Sequence, residues 1–256
     1  MSRIVNPGAT GPLSLTANGT FQSSTDASLT TMLGTRWSLE DGREVVLVLA
    51  GAVNLAVGKV MQDAALVSNN ANLATTAFTA YSNNGNIPAS VVVTNGGTAI
   101  TANQYQLGYA IVNDGTGAGQ TLQIAENSSA TTTGSCTITF ADAPNTALDT
   151  TSKITLVPQP ANGVVITPTT ITSAIRGVTF YPITAAQYGF LATKGNWACL
   201  ADSTAPGVNT PVSPSVNTGG SVGSTPYATN IVTGMILGYS KYATVSAKYY
   251  EIELDI

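Results

Sequence analysis

The side chains of this chain that could do chemistry are carboxylates, hydroxyls and aromatic rings. The 256 residues contain no histidine and two cysteines. Without histidine the commonest general base, the commonest zinc ligand and any Ser-His-Asp triad are missing. Cys136 and Cys199 are isolated, too few and too far apart in sequence for zinc or iron–sulfur sites. Two free buried thiols are the favoured reading, with a disulfide between them left open. Carboxylates could support glycoside hydrolysis, which needs a pair of them across a sugar. The candidate clusters are Glu40-Asp41-Glu44 and Glu251-Glu253-Asp255. In the second, alternation puts three like charges on one strand face, the pattern of a solvated face. Asp41, Glu44 or Asp114 could contribute to a calcium site, but spacing alone does not define its shell of roughly six to eight oxygens. Asp114-Gly115-Thr116-Gly117-Ala118-Gly119 approaches a phosphate-loop pattern. Gln120 stands where a further glycine is needed, and no Gly-Lys-Ser/Thr occurs, so the segment reads as a hairpin turn. Trp37 and Trp197 read as core or interface rather than as a platform for sugar. No catalytic residue, metal ligand or cofactor site is assigned.

The elements that would carry these side chains follow from composition. Charged residues are 9% of the chain, far below the roughly 25% usual for soluble domains. Thr, Asn, Ser, Ala and Gly take the places that Lys and Glu normally occupy. Thr, Val and Tyr favour pleated surfaces, and charged helix formers are scarce. The expected fold is therefore all-β, with helix under ~15%. A mean hydropathy of +0.19 and 43% apolar residues exclude a disordered polymer. The formal net charge is −4, and the nine basic residues are scattered, so binding to nucleic acid through phosphate is not expected. No apolar run approaches ~18 residues, so no membrane-spanning helix is expected. The first residues, MSRIVNPGATGPLSLT, lack an apolar core, and no secretory signal is expected. Neutral, hydrogen-bonding surfaces of this kind suit lateral contact with other protein.

Three regions are expected: an N-terminal arm over 1–35, a first β module over 36–160, and a second over 161–256. Both modules should be barrel- or sandwich-like. The arm is punctuated by Pro7-Gly8, Gly11-Pro12 and Asn18-Gly19. It is either a disordered leader or a segment that orders against a partner, with one helical turn near Thr25 to Leu33 begun by Asp26 and stopped by Gly34. Val45 to Leu49 is apolar on both faces and reads as a buried strand. Leu107 to Val112 and Thr121 to Ile124 read as a hairpin. Pro158, Pro160 and Pro168 mark the module boundary. Arg176 to Leu200 reads as three short strands separated by turns at Thr184–Tyr188 and Lys194-Gly195-Asn196. Ala205 to Pro226 reads as a long exposed loop. Tyr249 to Ile256 alternates strictly, with Tyr250, Ile252, Leu254 and Ile256 on one face. Leu107-Gly108-Tyr109 and Leu237-Gly238-Tyr239 each open a strand about sixteen residues before an apolar partner, a weak internal echo. Trp37, Tyr181, Tyr188, Phe190 and Trp197 lie on the hairpins and are candidate interface anchors, with a core role as the alternative.

Four segments together suggest a family: LGTRWSLEDGREVVLV (33–48), LGYAIVNDGTGAGQTLQI (107–124), ALDTTSKITLVPQPANGVVITPTT (147–170) and GVTFYPITAAQYGFLATKGNWACLAD (177–202). They resemble structural proteins of tailed bacteriophages, and the 238–254 segment resembles the closing strands of capsid decoration, or cement, proteins. The resemblance covers most of the chain from Leu33 onward and rests on turns and strands, with no catalytic signature. It implies a β-rich virion protein, made in the host cytoplasm, that binds the outer surface of the major capsid protein lattice. A homo-oligomer, with a trimer matched to a three-fold position, is the expected assembly. The alternative is a head-fibre or tail-associated β protein that binds a receptor or carbohydrate. Hence the expected partners are the major capsid protein and other copies of this chain, without nucleic acid, membrane or enzymatic activity.

Overall fold

The computed structural model describes residues 4–5, 16–17, 20–82, 88–203, 206–224, 237–242 and 247–256. The protein is all-β, with 46% of the described residues in strands and 4% in helix. The strands are β1 (Ile4–Val5), β2 (Thr16–Ala17), β3 (Thr20–Phe21), β4 (Arg36–Leu39), β5 (Glu44–Ala50), β6 (Val60–Gln62), β7 (Leu73–Thr79), β8 (Ser90–Thr94), β9 (Tyr109–Asp114), β10 (Thr121–Asn127), β11 (Ser135–Phe140), β12 (Lys153–Val157), β13 (Asn162–Ile166), β14 (Ile175–Thr179), β15 (Tyr188–Leu200), β16 (Thr210–Pro214), β17 (Val222–Ser224), β18 (Gly238–Ser240) and β19 (Tyr249–Asp255). They fall into two compact units. Unit 1 is Met1–Ala65 with Ala161–Ile256, and unit 2 is Leu66–Pro160. The expected cut after Pro160 is present. Residues 36–65, however, belong with 161–256, so unit 2 is an insertion rather than the second half of a linear module.

The insertion enters unit 1 between two paired strands. β6 and β13 are antiparallel, with Val165 opposite Gln62 and Ile166 opposite Met61. Asp63 closes the junction. Its carboxylate accepts from the Ala161 N–H at 3.0 Å and from the Arg176 guanidinium at 2.6 and 2.5 Å. The chain thus leaves and re-enters unit 1 at points one hydrogen bond apart.

Unit 1 is built on an eleven-stranded sheet in the order β1-β4-β5-β13-β6-β14-β15-β19-β18-β16-β17. β15 also returns to pair with β5, which closes β5, β13, β6, β14 and β15 into a ring. β5 is consequently buried on both faces. Val46, Val48 and Ala50 pack with Met61, Val164 and Leu191, whereas Val45 and Leu47 pack with Val60, Val178 and Phe190. Its run of apolar residues without alternation is the sequence signature of that double burial.

Two expected features of unit 1 are corrected. Lys194-Gly195-Asn196 is not a turn, because β15 continues through it for 13 residues. Gly195 adopts φ +87° and the register shifts between Ala192 and Lys194, so the strand bends. Its first half then pairs with β5 and its second half with β19. Likewise 205–226 is not simply a loop. β16 and β17 form an antiparallel hairpin within it, with Val212 and Val222 fully buried. Buried Asp202 accepts from the Ser215 hydroxyl and fixes the bend between them.

Much of the N-terminal arm is part of unit 1. A 3-10 helix spans Ala27–Met32, and the Asp26 side chain accepts from the Ser28 N–H at its start. Those hydrogen bonds from Ser28 hold the Asp26 carboxyl below the usual carboxylate value. Leu29 and Leu33 enter the core, Phe21 packs against it, and Ser24 bridges to Tyr188. The expectation of an arm that orders only on a neighbour therefore fails for residues 21–35. Residues 1–3, 6–15 and 18–19 of the arm lie outside the described residues.

Unit 2 is a closed six-stranded barrel, β10-β11-β8-β7-β12-β9. Alternate residues point inward: Val91 and Val93, Ala110 and Val112, Leu122 and Ile124, Cys136 and Ile138, Ile154 and Leu156. The glycine-rich 114–119 segment joins the antiparallel β9 and β10, the hairpin that its pattern implied. Closure removes the free edges that an open sheet would present.

Candidate interaction surface

The five aromatic residues singled out by sequence do converge, but inside unit 1. Trp37 and Phe190 meet edge-on at 5.3 Å, and Phe21 meets Phe190 at 5.9 Å and Tyr181 at 5.8 Å. Phe180 bridges Tyr181 at 4.9 Å and Trp197 at 4.5 Å. Trp37, Tyr188, Phe190 and Trp197 are buried, and Tyr181 is half-buried. Three of them have hydrogen-bond partners within unit 1, whereas the buried Trp37 indole N–H has none among the described residues. The Tyr181 hydroxyl accepts from the Phe190 N–H at 2.7 Å, Tyr188 shares a hydroxyl contact with Thr30, and the Trp197 indole donates to the Lys194 carbonyl. Burial pushes the Tyr181 phenol well above its ordinary value. These residues are core and not interface anchors. Covering by β5 and by the 21–33 segment, both distant in sequence, decides this.

The exposed aromatics lie elsewhere. Tyr239 on β18 and Tyr249 on β19 are 53% and 56% exposed, and Tyr242 just after β18 is 61% exposed. The alternation of β19 explains the arrangement. Ile252 and Leu254 point into the core, which leaves Tyr249, Glu251 and Glu253 on the opposite face. Register places Tyr239 directly opposite Glu253, and Pro211 of β16 directly opposite Tyr239. Lys241 lies 3.9 Å from Glu251 and 3.5 Å from Glu253, so this face carries both charge signs. The Tyr249 ring passes close over Gly58, where a Cβ would sit 2.5 Å from the ring. A shallow depression of about 400 Å³ adjoins the face, lined by Asp41, Arg43, Asn196 and Glu253. The Arg43 guanidinium stacks 4.0 Å over Trp197 and forms a 2.8 Å ion pair with Asp41, so the depression has a rigid floor.

The face presents tyrosine rings and side chains of both charge signs on two strands that are each paired on both sides. Large rigid rings with a polar tip give contact area at low entropic cost. Among the described residues no three His, Cys, Asp or Glu side chains gather in a way that could hold a metal ion. Cys136 and Cys199 are free, each in the core of a different unit. Burial raises both thiols, that of Cys199 to about 12. Sequence had placed Tyr249 on the outward face of β19, but it missed Tyr239 and Tyr242; the echoed Leu-Gly-Tyr was the available signal for Tyr239. Among the described residues no helix is long and apolar enough to cross a membrane. Comparison of the chain with protein-family models, with curated proteins and with solved structures found no match.

Proposed function

We propose that this chain is a capsid decoration protein of a tailed bacteriophage. In this reading it binds the outer surface of the major capsid protein lattice, stabilises the head, and does so as a homotrimer seated on a three-fold position. The observation that carries the reading is the tyrosine face of β18 and β19. Three tyrosines more than half exposed, beside a proline and a mixed set of charges, offer a docking surface. The face belongs to the 238–254 segment that resembles the closing strands of decoration proteins. The low charge of the chain supports close packing of many copies, because neighbours repel one another little.

Two measurements test it. The copy number in purified particles should scale with the number of capsomers; a few copies per particle would point instead to a tail or head-fibre component. The double variant Tyr239→Ala, Tyr249→Ala should fold normally and occupy heads poorly. Full occupancy by that variant would remove this face from the docking role.

A further inference from the structure

We infer that the barrel of unit 2 carries, at one end, a binding site for a neutral saccharide. A cavity of about 640 Å³ lies where β8 begins, β11 ends and β10 is interrupted. That volume is within the usual range for small-ligand sites. Ala89 and Phe140, both almost fully buried, form its floor. Tyr81, 47% exposed, supplies an aromatic wall. Glu126, Thr139 and Asp142 supply the polar groups.

The position of Glu126 is the informative feature. Along β10, Leu122 and Ile124 point into the barrel, and strict alternation would send Glu126 inward after them. A register shift between Ile124 and Glu126 makes Ala125 an extra residue and turns Glu126 to the outside, onto the cavity. A β-bulge of this kind re-aims one side chain at a cost in ladder pairing, and such bulges concentrate beside binding sites. The Thr139 hydroxyl lies 3.4 Å from the Glu126 carboxylate and orients it.

The chemistry selects the ligand. An exposed tyrosine ring offers its face to the apolar side of a pyranose. The carboxyl groups of Glu126 and Asp142 accept hydrogen bonds from sugar hydroxyls. Among the described residues no lysine or arginine lines the cavity, so an acidic sugar or a phosphate would meet two carboxylates without a counter-charge. This site is separate from the docking face in unit 1 and does not depend on it.

Saturation-transfer NMR on the full chain tests the inference. The probes are the methyl glycosides of glucose, galactose and mannose, N-acetylglucosamine, and glucuronate as the anionic control. At least one neutral sugar should receive saturation, and glucuronate should not. Tyr81→Ala and Glu126→Gln should each weaken that binding about tenfold or more, the loss of one stacking or charge-assisted contact. Tyr109→Ala, which alters an exposed ring on the wall of the barrel, should leave it unchanged, and the melting temperature of each variant confirms its fold. Absence of transfer to every neutral sugar, equal transfer to glucuronate, or retained binding in a folded Tyr81→Ala variant would overturn the proposal.

Discussion

Phe190 and Tyr239 are both aromatic residues on strands of unit 1, yet they have opposite surroundings. Phe190 is wholly buried and touches Trp37 and Phe21. Phe190→Ala should cost about 3–5 kcal/mol of unfolding free energy, the range for a buried phenylalanine, read by denaturant titration. A cost near zero would mean the aromatic cluster is not core. Cys199 gives a second residue-level test. Its thiol is held protonated up to about 12, whereas in the unfolded chain it ionises near 9.0. Between those values the unfolded state releases a proton that the fold retains, so stability falls as pH rises from about 9 toward about 12, by at most about 1.4 kcal/mol per pH unit. Below about 9 this thiol adds no pH dependence. Tyr181 acts in the same direction at still higher pH. Cys199→Ala should flatten part of this alkaline loss; an unchanged slope in denaturation curves between about pH 9 and 11 would contradict it. Sequence identified the aromatic set as a group because aromatics dominate both cores and interfaces. It did not settle which of the two they form, because the residues that cover them, 21–33 and β5, are more than a hundred positions away from β14 and β15.

The elements whose pattern is local were legible: β5 from its unbroken apolar run, β9 and β10 from alternation around a glycine-rich turn, β19 from its strict two-residue period. β15 was misread because turn residues also serve where a strand bends from one ladder to another. β16 and β17 were misread because Pro211, Pro214 and the glycines around them look like loop. β16 tolerates the two prolines because the ladder pairs Pro211 across to β18 alone and Pro214 across to β17 alone. The Leu-Gly-Tyr echo has structural content. Gly238 is opposite Leu254, sixteen residues on, and Gly108 accepts from the N–H of Ile124, also sixteen residues on. Both glycines run close against a neighbouring strand: a Cβ would lie 1.9 Å from the Glu253 carbonyl oxygen at Gly238 and 2.3 Å from the Val157 carbonyl oxygen at Gly108. Substitution by alanine should therefore push β18 away from β19 at Gly238 and the start of β9 away from the end of β12 at Gly108. Gly238→Ala should speed hydrogen exchange in β18 and β19 and leave the barrel protected, and Gly108→Ala should do the reverse. Unchanged protection in both variants would show that the chain absorbs the methyl group.

At the level of the whole molecule, the arrangement is one unit inserted into another. The sequence marked the exit at Pro160 through its prolines but gave no sign of the entry, since Asp63-Ala64-Ala65-Leu66 lacks turn residues. The hydrogen bond from Ala161 to Asp63 places the two junctions side by side. Replacing 66–160 by a short Gly-Ser linker should therefore leave unit 1 folded, with its own cooperative melting transition and its tyrosine face intact. Loss of cooperative melting would show that unit 1 depends on its insertion. The central claim, that the protein reinforces a phage head, is tested most directly by heating heads that lack the protein, with and without purified protein added back. Binding to the assembled lattice alone should stabilise it by mass action. Decorated heads should open at a higher temperature than bare ones, and the Tyr239→Ala, Tyr249→Ala variant should fail to restore the difference. Bare and decorated heads opening at the same temperature would contradict it.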